Sequence, residues 1–177
     1  MEQKITAKEI KQHKSKLFAR LALAAKKAKE SGGRPFIFHF LTTLHCNCDC
    51  ESCLWKDNSV KNELTLKEIK RIYLEAKEEG FLITLLWGGE PTLRKDITDI
   101  IQFVKNKADF AFIGMVTNGF LIPKRISEFG NDLDLILISL DSPIREEHDK
   151  IRKLPGLYDN IMKSVEIIKR DYPLISL

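Results

Sequence analysis

Apolar positions along this chain follow two rhythms. Ile10, Leu17, Leu21, Ala24 and Ala28 recur among lysines at spacings that keep them on one face, which predicts a single helix over residues 5 to 30. Phe18 widens that stripe, and Ser31-Gly32-Gly33 followed by Pro35 ends it. From Phe36 onward, short apolar runs alternate with amphipathic segments. Phe36 to Thr42, Phe81 to Trp87, Phe110 to Thr117 and Leu133 to Leu140 have strand length, and Pro173 to Leu177 reads as the start of a fifth. Between them, Ile69, Ile72 and Ala76 line one helix, with Thr65 and Glu68 spaced as a capping box and Gly80 as its stop. Ile97, Ile100, Ile101 and Val104 mark a second helix, Pro123 opens a short third that runs to Phe129, and Ile161, Val165 and Ile168 mark a fourth.

The strand candidates are near-continuous apolar runs, the pattern of parallel strands covered by helices. The expected fold is therefore α/β, a parallel sheet either open or curling toward a barrel. The polar and glycine-bearing segments Cys46–Cys53, Gly88–Pro91, Thr117–Gly119 and Ser139–Ser142 each follow a strand. Ligands bind at that carboxyl edge in such sheets, so four candidate functional loops share one edge.

Charge separates the chain into two parts. Residues 1 to 34 hold ten Lys or Arg against three Glu, whereas the remainder holds nineteen basic and twenty-two acidic groups. This sets a division into a basic amphipathic N-terminal helix, residues 1–34, and a βα domain, residues 35–177. Two readings of the helix stand: packing of its apolar stripe on the domain, or peripheral contact of residues 5–30 with an anionic membrane surface. Nucleic-acid contact is disfavoured, since no aromatic platform interleaves the lysines. No stretch is long enough to cross a bilayer and the N-terminus lacks the form of a secretory signal, so a cytoplasmic address, with the membrane-peripheral option, is the expectation.

All four cysteines, Cys46, Cys48, Cys50 and Cys53, fall within eight residues. Disulfide frameworks spread their cysteines to join distant segments, so ligation of metal or cluster is the natural reading, in a reducing compartment. Soft thiolates suit iron–sulfur clusters and zinc alike. A zinc-stabilised binding module would crowd four ligands into one short loop. An electron-transfer ferredoxin spaces its cysteines differently.

Cys46-Asn47-Cys48-Asp49-Cys50-Glu51-Ser52-Cys53 after the first strand resembles the CxxxCxxC signature of the radical S-adenosylmethionine (radical SAM) superfamily. That resemblance implies the N-terminal part of the family's core domain, a partial (β/α) barrel. It implies that Cys46, Cys50 and Cys53 hold three irons of a [4Fe–4S] cluster whose fourth iron S-adenosylmethionine chelates. It also implies reductive cleavage to a 5′-deoxyadenosyl radical and an external electron donor such as flavodoxin or ferredoxin, with the substrate unassigned. Ser52 stands where the family often has an aromatic residue, and Trp55 is placed to cover the cluster instead. Cys48 has no family role.

The same resemblance assigns the other loops. Gly88-Gly89-Glu90 matches the family's GGE motif, whose backbone meets the methionyl amino group, with Glu90 adding negative charge nearby. Thr117-Asn118-Gly119 lies close to the cofactor, and Ser139 and Asp141 resemble its ribose-contacting set. His45 is a candidate for tuning the cluster, His39 for the core or for backing a site residue, and His148 to Arg152 for ordering the fourth loop. The family core usually has six βα units. This chain supplies four and the first residues of a fifth, which sets an expectation of a shortened core.

Overall fold

The computed structural model of the chain describes residues 5–177; residues 1 to 4 of the basic N-terminal segment lie outside that range. Helix α1 (Ala7–Glu30) is capped by Thr6 in a reciprocal box with Glu9. Four strands follow, β1 (Ile37–Thr43), β2 (Ile83–Gly88), β3 (Phe112–Thr117) and β4 (Leu135–Ile138), all parallel and adjacent in chain order. Helices α2 (Leu66–Glu78), α3 (Ile97–Asn106), α4 (Ile122–Phe129), α5 (Arg145–Arg152) and α6 (Leu157–Asp171) fill the connections. Sequential strand order with right-handed crossovers puts the connecting helices on one face. The result is a parallel four-stranded sheet with alternating helices, a partial (β/α) barrel core.

The helix-covered face explains the apolar runs. Phe38 and Phe40 each meet the Tyr73 ring at 5.4 Å, and the Tyr73 hydroxyl pairs with Thr84 Oγ1 at 3.0 Å. Ile100, Ile101, Ile113, Met115 and Ile136 are fully buried beside them. The alternate positions point the other way, where Ile37, Leu41 and Leu137 remain exposed. Alternation is therefore present, but apolar residues occupy both faces, so it is invisible in the hydropathy pattern. Thr65 and Glu68 form the expected capping box of α2, and Gly80 takes a φ of +96° just past the helix end.

Helix α1 crosses the amino edge of the sheet, away from the loops. Arg20 donates to the Phe110 carbonyl at 3.5 Å and pairs with Asp109 at 3.6 Å. Ala24 is buried, while Ile10, Leu17, Leu21 and Ala28 are half-buried, so the stripe is the covered side. Phe18 does not widen it: one residue from Leu17 it is turned about 100° round the helix and stands 74% exposed. Among the described residues no helix is long and apolar enough to cross a membrane.

Three boundaries depart from the sequence expectation. Strand β4 is shorter than Leu133 to Leu140, because Gly130–Asp132 forms a 3-10 turn and Asp134 turns its carboxylate back to the Ile113 amide at 2.9 Å. The fifth strand is a single bridge, with Ser176 donating to Asp134 O and accepting from Ile136 N. Helix α5 has no counterpart among the expected helices. Its sequence is almost wholly charged and it buries only His148, so it carries no apolar period to read.

Candidate active site at the carboxyl edge of the sheet

The loop leaving β1 carries the four cysteines, all of them free. Its root is clamped by polar groups. Glu63 accepts from Thr43 Oγ1 at 2.6 Å and from the Leu44 amide at 2.8 Å. Arg94 donates to the carbonyls of Thr42 and Leu64 at 2.8 and 2.7 Å and pairs with Asp96. Asn58 both accepts from Cys46 N at 2.9 Å and donates to Cys46 O at 3.2 Å. Glu63, Arg94 and Asn58 carried no motif signal. Their role comes from backbone groups they reach across the fold.

The Gly88-Gly89 pair brings the next loop against this one. Gly89 N donates to Thr43 O at 2.7 Å and Glu90 N to His45 O at 2.8 Å, which extends the β1–β2 pairing into the loops. Gly88 takes a φ of +130°, and a Cβ there would lie 2.3 Å from Thr43 O. The close approach these glycines permit is thus with the chain's own cysteine loop, in addition to the cavity both residues line.

Glu90 is fully buried and does not line that cavity. Its carboxylate accepts from Thr92 N at 3.0 Å and the Thr92 hydroxyl, from Thr117 Oγ1 at 2.8 Å, and from Asn118 N at 2.7 Å. Burial pushes its pKa up against these donors. Glu90 therefore joins the second and third loops, and its carboxylate reaches a ligand only through them.

The fourth loop closes the ring. Arg152, the last residue of α5, donates to both Asp141 oxygens, and its carbonyl accepts from Asp49 N at 3.1 Å and from Cys50 Sγ at 3.8 Å. His148 is buried, with Nδ1 accepting from Asp141 N at 3.2 Å, and burial lowers its pKa toward the neutral form. Asp149 accepts from Gly156 N and Tyr158 N and so starts α6. The His148 to Arg152 segment orders this loop, as expected, and Arg152 in addition lines the cavity.

That cavity measures about 290 Å³. It brings together Cys46, Cys50, Cys53 and the extra thiol Cys48 with the backbone of Gly88 and Gly89. Thr117, Asn118, Ser139 and Asp141 line it as well. Nine of the ten sequence candidates thus share one cavity, Glu90 being the exception. Trp55 and Trp87 also line it, edge to face with ring centroids 5.0 Å apart. Trp87 gave no signal inside its apolar run.

Hydrogen bonding with Cys48 brings Cys46 down to about 7, and the same contact together with burial pushes Cys48 up. A thiolate is the form that ligates iron, and Cys48 packs among Leu157 and Ile161. Among the described residues no three Cys, His, Asp or Glu side chains converge on a point that would hold one ion. The fit to a cluster rests on the donor set: three soft thiols, each able to serve a separate iron, around a glycine-walled cavity.

Asp141 offers a pH test of the fourth loop. Its hydrogen bonds from Arg152 hold its carboxyl below the ordinary value of 3.8. A lowered acid contributes stability above its unfolded pKa and loses it as pH falls through the lower, folded value. Urea midpoints should fall as pH drops below about 4 in the parent, and this part of the fall should be absent in Asp141→Asn. Parallel acid profiles for the two proteins would refute the ion pair.

A parallel βα sheet whose first loop offers three thiols beside a Gly-Gly turn places the candidate site at the carboxyl edge. The Radical SAM superfamily model matches residues 40–175, and the chain belongs to that superfamily. It is 35% identical over 129 residues to Fe-coproporphyrin III synthase of Methanosarcina barkeri, covering 70% of this chain and 31% of that one. It is 32% identical over 126 residues to GTP 3′,8-cyclase of Clostridium perfringens, covering 68% and 39%. Streptococcus suis SuiB bound to S-adenosylmethionine superposes with a TM-score of 0.64 at 21% identity, over 81% of this chain and 34% of that one. Methylornithine synthase superposes with a TM-score of 0.56 at 19% identity, over 94% and 53%. The chain spans 31% and 39% of the length of the two curated relatives named here.

Proposed function

We propose that Cys46, Cys50 and Cys53 hold a [4Fe–4S] cluster and that S-adenosylmethionine binds beside it against Gly88, Gly89, Ser139 and Asp141. The observation that carries this is the cavity in which three thiols meet a wall of glycine backbone and hydroxyl and carboxylate groups. Bound there, the cluster would supply one electron, taken from a flavodoxin- or ferredoxin-type donor, to break the sulfonium–C5′ bond into methionine and a 5′-deoxyadenosyl radical that takes hydrogen from a substrate. The chain's own residues bind and orient. The glycine backbone admits the methionyl end, Ser139 and Asp141 offer hydrogen-bonding oxygens to the ribose, and the Trp55–Trp87 pair limits water. By their names, one relative makes Fe-coproporphyrin III and another cyclises GTP, so the names point to no common substrate, and the reading stops at the cleavage step.

Anaerobic reconstitution with iron and sulfide tests the reading. The chain should take up about four irons and four sulfides, and its electron paramagnetic resonance spectrum should change on adding S-adenosylmethionine. Strong reductant should then release 5′-deoxyadenosine, seen by chromatography. Zinc uptake without sulfide would favour a zinc module, and a cluster blind to S-adenosylmethionine would favour electron transfer. Either result would overturn the proposal.

A further inference from the structure

Asn118 is 5% exposed and sits between the third loop and the cysteine loop. Its side-chain oxygen accepts from Phe120 N at 3.0 Å. Its amide nitrogen lies 2.7 Å from Asn47 Oδ1, 3.3 Å from Cys48 Sγ and 4.0 Å from Cys46 Sγ. A carboxamide has two N–H donors. Asn47 and the thiol sulfurs take both, so the side chain has no donor left for a nucleotide. Its backbone is equally committed, since Asn118 N donates to the buried Glu90 carboxylate.

We infer that Asn118 is a positioning residue for the cluster: its carboxamide gives one N–H to Asn47 and shares the other between Cys48 and the proposed ligand sulfur of Cys46, and so fixes the ligating form of the cysteine loop. The inference deepens the proposed function and rests on its cysteine ligands. It assigns Asn118 to the cluster side of the cavity, whereas the TNG motif alone suggested a contact to S-adenosylmethionine. The chain of contact runs from Glu90 through Asn118 to Asn47, so the second, third and first loops are set by one buried relay. A hydrogen bond offered to a cluster sulfur stabilises the more negative, reduced state and raises the potential.

Removal of the latch leaves the loop tied at Asn58, Glu63 and the Arg152 carbonyl. The variants are therefore expected to fold. Two are needed: Asn118→Ala, and Asn118→Asp, which keeps the oxygen that Phe120 N uses and loses both donors. The first readout needs no cluster. In the reduced apo chain, Cys48 is 3% exposed and should resist iodoacetamide, and both variants should alkylate there at least about tenfold faster, measured by mass spectrometry. The second is the midpoint potential of the reconstituted cluster without S-adenosylmethionine, which should move negative in both variants, while affinity for S-adenosylmethionine changes less than about threefold. Unchanged alkylation, or an unchanged potential, would overturn the inference; so would an unchanged potential joined to a tenfold loss of S-adenosylmethionine affinity, which would return Asn118 to the nucleotide. If the parent takes up no iron–sulfur cluster, the proposed function fails, and the alkylation rates still decide whether the latch exists.

Discussion

Cys50→Ala is expected to reduce iron uptake from about four atoms per chain to below about one, whereas Cys48→Ala is expected to load normally. The two residues are two positions apart and differ in burial and in contacts. Cys50 is half-buried on the cavity wall, and its sulfur lies 3.8 Å from the Arg152 carbonyl at the seam between the first and fourth loops. Losing it removes one of the three proposed ligands, and the 46/50/53 spacing offers no replacement. Cys48 is buried under the loop against Leu157 and Ile161, and its thiol is pushed up, away from the ligating form. Truncating it to alanine deletes one buried sulfur, a packing loss of about 1 kcal/mol, and leaves the three proposed ligands in place. Iron and sulfide assays on the two variants, beside melting curves, separate ligation from packing. Equal loss of iron in both would reverse the ligand assignment.

The alternation of strands and helices was legible because each of four strands is a run of six or so apolar residues and each main helix buries an apolar stripe. Thr65 with Glu68 was legible for a local reason, since a capping box is written entirely within four consecutive residues. Helix α5 was not, because a charged eight-residue helix that buries one histidine has no period. Its importance comes from Arg152, which reaches Asp141 with its side chain and Asp49 with its carbonyl, contacts separated by up to about a hundred positions in sequence.

The site divides the same way. Cysteine spacing and glycine pairs are local patterns, and nine of ten candidates line one cavity. What each residue does there depends on partners that no motif names. Glu90 reads as a cofactor carboxylate from its place after two glycines, yet its oxygens are taken by Thr92, Thr117 and Asn118. Glu63 and Arg94 were silent because their targets are backbone carbonyls and amides at the root of the cysteine loop. Residues that hold a loop from outside are chosen by geometry, which sequence order does not carry.

Gly89→Ala is expected to be the most disruptive single methyl in the protein. Gly89 has an ordinary backbone conformation, so the effect is steric. A Cβ at this position would lie 2.1 Å from His45 O, 2.6 Å from His45 C and 2.8 Å from Leu44 C. All three are backbone atoms, and they immediately precede Cys46, one of the proposed ligands. The cysteine loop cannot yield as a side-chain rotamer would. It must move, and with it goes the bond from Glu90 N to His45 O. Overpacking of this kind costs about 3 kcal/mol or more. Gly80→Ala is the control: Gly80 has a φ of +96° and nothing lies within 4 Å of where its methyl would sit, so the cost is the left-handed backbone alone, about 1 kcal/mol, far from the cysteines. Chemical denaturation should rank Gly89→Ala well below Gly80→Ala, and reconstitution should find iron lost only in Gly89→Ala. Normal stability and full iron in Gly89→Ala would mean that the second loop stands clear of the first, and the packed edge described above would be wrong.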